Sequence, residues 1–475
     1  IRDRYTLLMV LWKEDVVLQA KKNYEMDMCS GSILKKMLMF AIPLMCSSIL
    51  QLLFNAADII VVGRFAGDNS LAAVGSNTAL INLLTNLFVG LSIGANVIAA
   101  RHYGANQPDE LGKTVHTSIL LSLYSGVVLT IAGVVFARQL LILMQTPTNI
   151  LDLASVYLRI YFIGMPATMI YNFGSALLRA VGDTKRPLYY LLCAGVVNVI
   201  LNLVFVIIFK MDVAGVALAT VISECISAVL VVRCLMHEEG GIRLVVSKLK
   251  FDTKKFLDIL RVGLPAGFQG VVFALSNVVI QSSVNLFGET VVAGNSAAAN
   301  IEGFIYFAMN SFYQATISFT SQNFGAKKYG RIKKIAVTGE CCVVATGVLL
   351  GIAALFFGRQ LLGIYSQSPE VIDAGMNRMR VIASTYALCG MMDVMVGALR
   401  GIGYSVIPMI VSLVGACGLR LVWIATVFRI DRFHNVFTIY LSYPVTWIIT
   451  FTAHVICYAI VSRKVIPKNI QSTAE

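Results

Sequence analysis

The chain has 475 residues, of which 57% are hydrophobic and only 13% charged, and its mean hydropathy is +0.78. Soluble domains carry roughly a quarter charged residues, so this composition excludes an ordinary soluble fold and makes lipid the solvent for most of the chain. The net charge of +13 needs no nucleic acid as partner, because basic loops facing anionic lipid account for it.

Residues 1–30 contain an apolar run of only Leu7 to Trp12, too short to cross a bilayer or to form the apolar core of a signal peptide. They are read as an N-terminal arm without function, with Met26 and Met28 as alternative starts. Six charge-poor windows follow, at 37–63, 71–100, 115–137, 155–178, 188–209 and 213–236. Six more lie beyond a charged linker, at 262–288, 291–321, 335–357, 381–399, 406–428 and 436–462. Each is long enough to cross a hydrocarbon core of about 30 Å as a helix. Helices are the one open-ended element that satisfies its own backbone in lipid. The expectation is an all-α integral membrane protein with twelve transmembrane helices. With the N-terminus inside, Lys35, Lys36, Lys185, Arg186, the linker and Lys327 to Lys334 fall on the cytoplasmic side, as the positive-inside rule requires. Both termini are then cytoplasmic, including a tail at 464–475. The ten cysteines form no C-x-x-C pair and read as small buried hydrophobes.

The two halves of the chain repeat. "ARQLLILMQTP" ends at Pro147 and "GRQLLGIYSQSP" at Pro369; "ALLRAVGDTKRP" ends at Pro187 and "GALRGIGYSVIP" at Pro408. "AIP" and "GLP", ending at Pro43 and Pro265, share the same register of about 221 residues, as do "YGAN" and "FGAK". Each half holds six crossings, an even number, so both enter the membrane from one side and are related by a pseudo-twofold axis along the membrane normal. The expected organisation is an N-lobe at 31–236, a cytoplasmic linker at 237–253 and a C-lobe at 254–463. Two facing six-helix lobes imply a central cavity that opens to either side in turn, which is transporter architecture.

Between Lys36 and Arg64 the single charged side chain is Asp58. Gln51, Asn55 and Asp58 are spaced i, i+4 and i+7, one polar stripe on a helix face. A carboxylate at membrane depth costs several kcal/mol and marks function more often than packing. Asp58 is therefore read as the ion- or proton-coupling group, with interhelical hydrogen bonding as the plainer alternative. Asn198 and Asn202 share a face of the fifth crossing and carry the same two readings.

The order of these motifs, twice over at matching offsets, resembles the multidrug and toxic compound extrusion (MATE) transporters across residues 31–465. The resemblance rests on "AIPLMCSSILQLLFNAADIIVVGRFAG", on "RHYGAN" and "SQNFGAKK", and on the pair "LRAVGDTKRP" and "LRGIGYSVIP". It implies an antiporter that exports cationic or amphipathic small molecules in exchange for H+ or Na+, without cofactor or catalytic residue. It also implies a single chain in the plasma (inner) membrane of a bacterium. One branch of the family couples through an N-lobe site whose positions fall here on Asp58, Asn198, Asn202 and Thr220, which are then the implied Na+ ligands. Asn202 departs from that pattern, which has a carboxylate there.

Another branch uses acids on the seventh and tenth helices, but no acid stands between Arg261 and Glu289. Glu302 and Asp393 are the C-lobe candidates for the substrate cavity, with Gln51 and Asn55 in the N-lobe. Asp393 has a structural alternative, pairing with Arg420, read as the one mid-membrane cation. The alternative function is a lipid-linked oligosaccharide flippase of the same superfamily, which would need a basic cavity. No H-E-x-x-H, G-x-S-x-G or D-D-x-x-D motif argues for an enzyme, and no Walker A motif for direct use of ATP.

Overall fold

A computed structural model describes residues 24–465. The described residues form twelve long helices, two of them bent and two carrying a π-turn. The N-lobe contains α1 (Ile33–Phe65), α2 (Asp68–Gly104), α3 (Pro108–Leu143), α4 (Thr148–Ile163 and Met165–Ala180), α5 (Lys185–Leu203, prolonged by a π-turn at Val204–Ile208) and α6 (Asp212–Met236). The C-lobe contains α7 (Thr253–Asn285), α8 (Glu289–Gly325), α9 (Tyr329–Phe356), α10 (Pro369–Thr385 and Ala387–Ile402), α11 (Val406–Ser412, a π-turn at Leu413–Gly418, and Leu419–Ala425) and α12 (Val436–Val465). Among the described residues there is no strand.

Nine of these helices are long and apolar enough to cross a membrane, and the two bent pairs, α4 and α10, bring the number to eleven. The twelfth, α8, is 37 residues long but less apolar, and the reason is its position. It runs between the lobes, and its polar residues, among them Asn295, Glu302, Ser318, Gln322 and Asn323, are buried against other helices rather than exposed to lipid.

The repeat register holds down to single residues. The bend is 47° in α4 and 42° in α10. Arg138–Asp152 and Arg359–Asp373, each at 2.5 Å, are the same ion pair in the two lobes. Gly67 and Gly288 start α2 and α8 with φ of 91° and 87°, a region that favours glycine. α1 and α7 are capped alike, two residues off the Pro43–Pro265 register, by Ser32 and Asp252, which accept from the backbone N–H of Lys35 and Lys255.

The lobes meet tightly at one end, where the basic loops gather. Arg101 of α2 donates to the carbonyl of Ile402 at 2.9 Å, and its repeat mate Gln322 of α8 donates to that of Ala180 at 2.7 Å. Asn96 accepts from Ser318, across the pseudo-twofold axis, at 3.1 Å. Lys255 reaches Glu110 at 2.6 Å and His102 at 2.8 Å. α2 and α7 approach backbone to backbone at Gly90, Gly94, Gly263 and Gly267, the small-residue contact expected between membrane helices.

Residues 24–31, which the sequence leaves without a function, are packed between both lobes. The backbone N–H of Met26 donates to Val181 of the N-lobe at 3.1 Å, and that of Met28 donates to Gln322 of the C-lobe at 3.3 Å. Asn323 and Lys328 donate back to the carbonyls of Met28 and Cys29, each at 3.0 Å, and the Met28 side chain is fully buried. This strap lies across the lobe junction. The rest of the arm, 1–23, and the tail beyond Val465 fall outside the described residues.

Candidate functional site

α1 belongs to both lobes. Its first half, with Met37, Phe40 and Leu44, packs on α8, where Phe40 meets Phe319 edge to face at 5.7 Å. Pro43 interrupts the backbone ladder, and beyond it the helix joins the N-lobe. There Phe54 fills the notch over Gly195 of α5, which any added Cβ would close. That contact sets the rotation of α1, and Asp58, one turn further, faces Asn202.

The four N-lobe residues form one hydrogen-bonded chain. The Asn202 amide donates to Asp58 Oδ1. It also donates to Asn198 Oδ1 at 3.2 Å, and Asn198 Nδ2 donates to Thr220 Oγ1 at 3.4 Å. Thr220 then donates to the carbonyl of Val216 at 3.0 Å. Both asparagines are buried and Asp58 is half-buried, while Gln51 and Asn55 are exposed on the same stripe of α1, two turns and one turn away. The π-turn at Val204–Ile208 begins immediately after this cluster, where such insertions often mark a site.

The donor set is one carboxylate, two amide oxygens and a hydroxyl, hard oxygens of the kind that hold hard cations. Asn202 Oδ1 is buried with no partner, an oxygen open to a ligand. Against this, the N–H side of that amide, not its oxygen, faces Asp58. As oriented, Asn202 contributes no oxygen toward Asp58, so the oxygens on that side are those of Asp58, Asn198 and Thr220. Among the described residues no three His, Cys, Asp or Glu gather as a metal site.

The C-lobe candidates are placed differently from each other. Glu302 is 2% exposed and held by Arg378, whose Nε lies 3.2 Å from both carboxylate oxygens and whose Nη2 lies 2.7 Å from Oε2. Arg378 also donates to Asn295 at 2.8 Å, and Asn295 to Gln281 at 2.9 Å; the guanidinium lies 5.7 Å from both the Tyr440 and Tyr443 rings. This carboxylate is engaged, not open to a cavity. Asp393 is partly buried, two turns before Arg400 on one face of α10. The alternative pairing of Asp393 with Arg420 is not formed: Arg420 lies 4.0 Å over the Tyr443 ring and donates to Thr446 at 3.4 Å. Arg420 is also not the single buried cation, since Arg378 and Arg400 lie inside the lobe as well, Arg400 donating to Tyr313 and, at 2.8 Å, to Gln269.

Arg378 lies outside the charge-poor window at 381–399, which ends at charged residues, yet it is buried within α10. The repeat carries the signal: α4 starts beside Pro147, so the matching span starts beside Pro369 and includes Arg378. A stability prediction follows from the geometry. Glu302→Gln leaves a buried guanidinium uncompensated, an effect of about 3–5 kcal/mol, and Glu302→Gln with Arg378→Gln recovers part of it. Thermal unfolding in detergent reads both. Unchanged stability with selective loss of cation export would instead make Glu302 a cavity acid.

Comparison with known proteins agrees with this architecture. A family model described as MatE matches residues 43–204 and 265–426, two copies in the register found above. The chain is 27% identical over 396 residues to "Probable multidrug resistance protein YoeA" of Bacillus subtilis, covering 82% of this chain and 86% of that one. It is 25% identical over 407 residues to "Probable multidrug resistance protein NorM" of Thermotoga maritima, covering 84% and 87%. A solved structure described as the outward-facing conformation of a multidrug resistance MATE family transporter superposes with a TM-score of 0.86 at 20% identity, over 92% of this chain and 98% of that one. Matched in both halves, and with the two-lobe fold of its structural neighbours, the chain belongs to the MatE family of membrane transporters.

Proposed function

We propose that the protein is a secondary antiporter of a bacterial plasma membrane that exports organic, cationic or amphipathic compounds while H+ or Na+ moves inward. The observation that carries this reading is the chain Asp58–Asn202–Asn198–Thr220, one ionisable group wired into three helices of a single lobe. A carboxylate there is tolerated at depth when a proton or cation neutralises it. Its partners sit on α5 and α6, so its charge state bears on how α1 packs against them. α1 in turn contacts the C-lobe through its first half, which gives the site a mechanical route to the lobe junction.

The basic end is the cytoplasmic end in this reading, and the contacts made there by Arg101, Gln322, Lys255 and the strap close the cytoplasmic mouth. Substrate then leaves on the opposite side. Both lobes and the junction between them come from one chain, so a monomer suffices. The proton is taken as the coupling ion, because a proton on Asp58 Oδ2 leaves the Asn202 donation to Oδ1 in place, whereas Na+ would share that carboxylate with an amide that presents its N–H.

Transport by purified protein in liposomes, with pH and Na+ gradients imposed separately, tests this. Efflux of a cationic dye should follow the pH gradient and be slow under a Na+ gradient alone. Export driven by Na+ alone would reverse the choice of ion, and export under neither gradient would remove the antiporter reading.

A further inference from the structure

The basic end of the bundle holds a cleft whose lining is separate from the Asp58 chain. It is an open groove of about 560 Å³ between the start of α1 and the start of α9, lined by Leu34, Gly330, Arg331, Lys333, Lys334 and Val337 among others. Three cations converge there and no acidic side chain lines it. Lys333 and Lys334 are exposed, and among the described residues neither has an acidic partner within 4.0 Å, whereas Lys36, Lys113 and Lys255 each have one. Adjacent like charges of this kind are relieved by an anion.

The cleft does not end at its cations. From Leu34 an exposed apolar stripe continues along α1 through Leu38 and Ile42, at 51%, 37% and 53% exposure. A second begins at Val337 and runs along α9 through Cys341 and Val348. The spacing of four residues and of four plus seven keeps each stripe on one helix face. The head of the cleft is cationic, its walls lead into two parallel apolar tracks, and the helices that carry them are membrane spans.

We propose that this cleft binds the phosphate of an anionic phospholipid, with the acyl chains lying along the exposed stripes of α1 and α9. Charge complementarity selects the headgroup, and basic pockets at the ends of membrane helices are suited to acidic lipids. A free phosphate ion would satisfy the cations but leave the stripes without a role. The site also touches the strap, because Arg331 donates to the carbonyls of Ser30 and Gly31 at 3.3 and 3.1 Å. A lipid phosphate that neutralises the lysines beside Arg331 holds this corner of the C-lobe against the strap, and so favours closure of the basic end.

Native mass spectrometry and thermal unfolding of the full chain test this without any transport measurement. The protein is placed in phosphatidylcholine discs with or without phosphatidylglycerol. Wild type should retain phosphatidylglycerol over phosphatidylcholine and unfold at a higher temperature when it is present. Lys333→Gln with Lys334→Gln should weaken retention by roughly 10-fold or more, the effect of two lost cations at a membrane surface. Lys250→Gln with Lys254→Gln, which removes two exposed lysines of the linker region, should retain the lipid. Equal loss in both double variants, no preference over phosphatidylcholine, or displacement of the lipid by inorganic phosphate alone would overturn the proposal.

Discussion

Asp58→Asn is expected to reduce uphill export to the level of protein-free vesicles while leaving expression and thermal unfolding close to wild type. The substituted amide has the size of the carboxylate and keeps an oxygen to accept from Asn202, so the chain of bonds through Asn198 to Thr220 survives. What it loses is the change of charge. A group that is neutral in every step cannot couple substrate movement to an ion gradient, because the ion then has no differential affinity for the two conformations. Downhill exchange of substrate should persist, which separates lost coupling from lost transport. Asn202→Asp adds a second acid beside Asp58 and should strengthen cation binding and shift the preference toward Na+. Uphill export by Asp58→Asn at a rate comparable to wild type sinks this account. A variant that fails to fold sinks it equally, since Asp58 would then be a packing group.

The fold was legible because it is written twice. The register joining Pro43 to Pro265 and Pro147 to Pro369 is the one the family match follows and the one that Gly67 and Gly288 share in their backbone angles. Asp58 stood out for a local reason, a lone charge on a polar helical stripe, and its contact with Asn202 rests on a face that spacing alone identifies. The C-lobe polar network was hidden for the opposite reason. Arg378 and Glu302 lie 76 residues apart, and each reads separately as either a loop charge or a cavity acid. Only packing shows that they neutralise each other. α8 reads as a span from its length of low charge, although its polar residues lower its hydropathy. What composition does not reveal is that they face the lobe junction. The strap at 24–31 carried no signal at all, because its bonds run mostly through backbone atoms that every sequence has.

Gly267→Val should lock the transporter open at its basic end. α7 crosses α2 there with no side chain between the backbones, and a Cβ on Gly267 would lie 2.7 Å from Leu87 Cα, against backbone that has no rotamer to yield. Overpacking of this kind costs about 1–3 kcal/mol. In the alternating-access reading, opening of the basic end separates α2 from α7, so the cost falls on the closed arrangement. A penalty of about 3 kcal/mol confined to one state moves the equilibrium between states by roughly 100-fold, enough to empty the closed state if the two are balanced beforehand. Ser318 reports the change: it is 1% exposed, bonded to Asn96 at the lobe junction, and shielded while the basic end is shut. In a background without native cysteines, Ser318→Cys should resist a thiol reagent added from the basic side and react readily once Gly267→Val is introduced. Gly303→Val is the control, because an added Cβ there has nothing within 4 Å. Both Gly267→Val and Gly303→Val should fold, but only the first should expose position 318 and abolish export, since a transporter held in one state completes no cycle. Continued protection of position 318 in a folded Gly267→Val protein, or equal exposure in the Gly303→Val control, would show that the glycine contact between α2 and α7 does not govern closure.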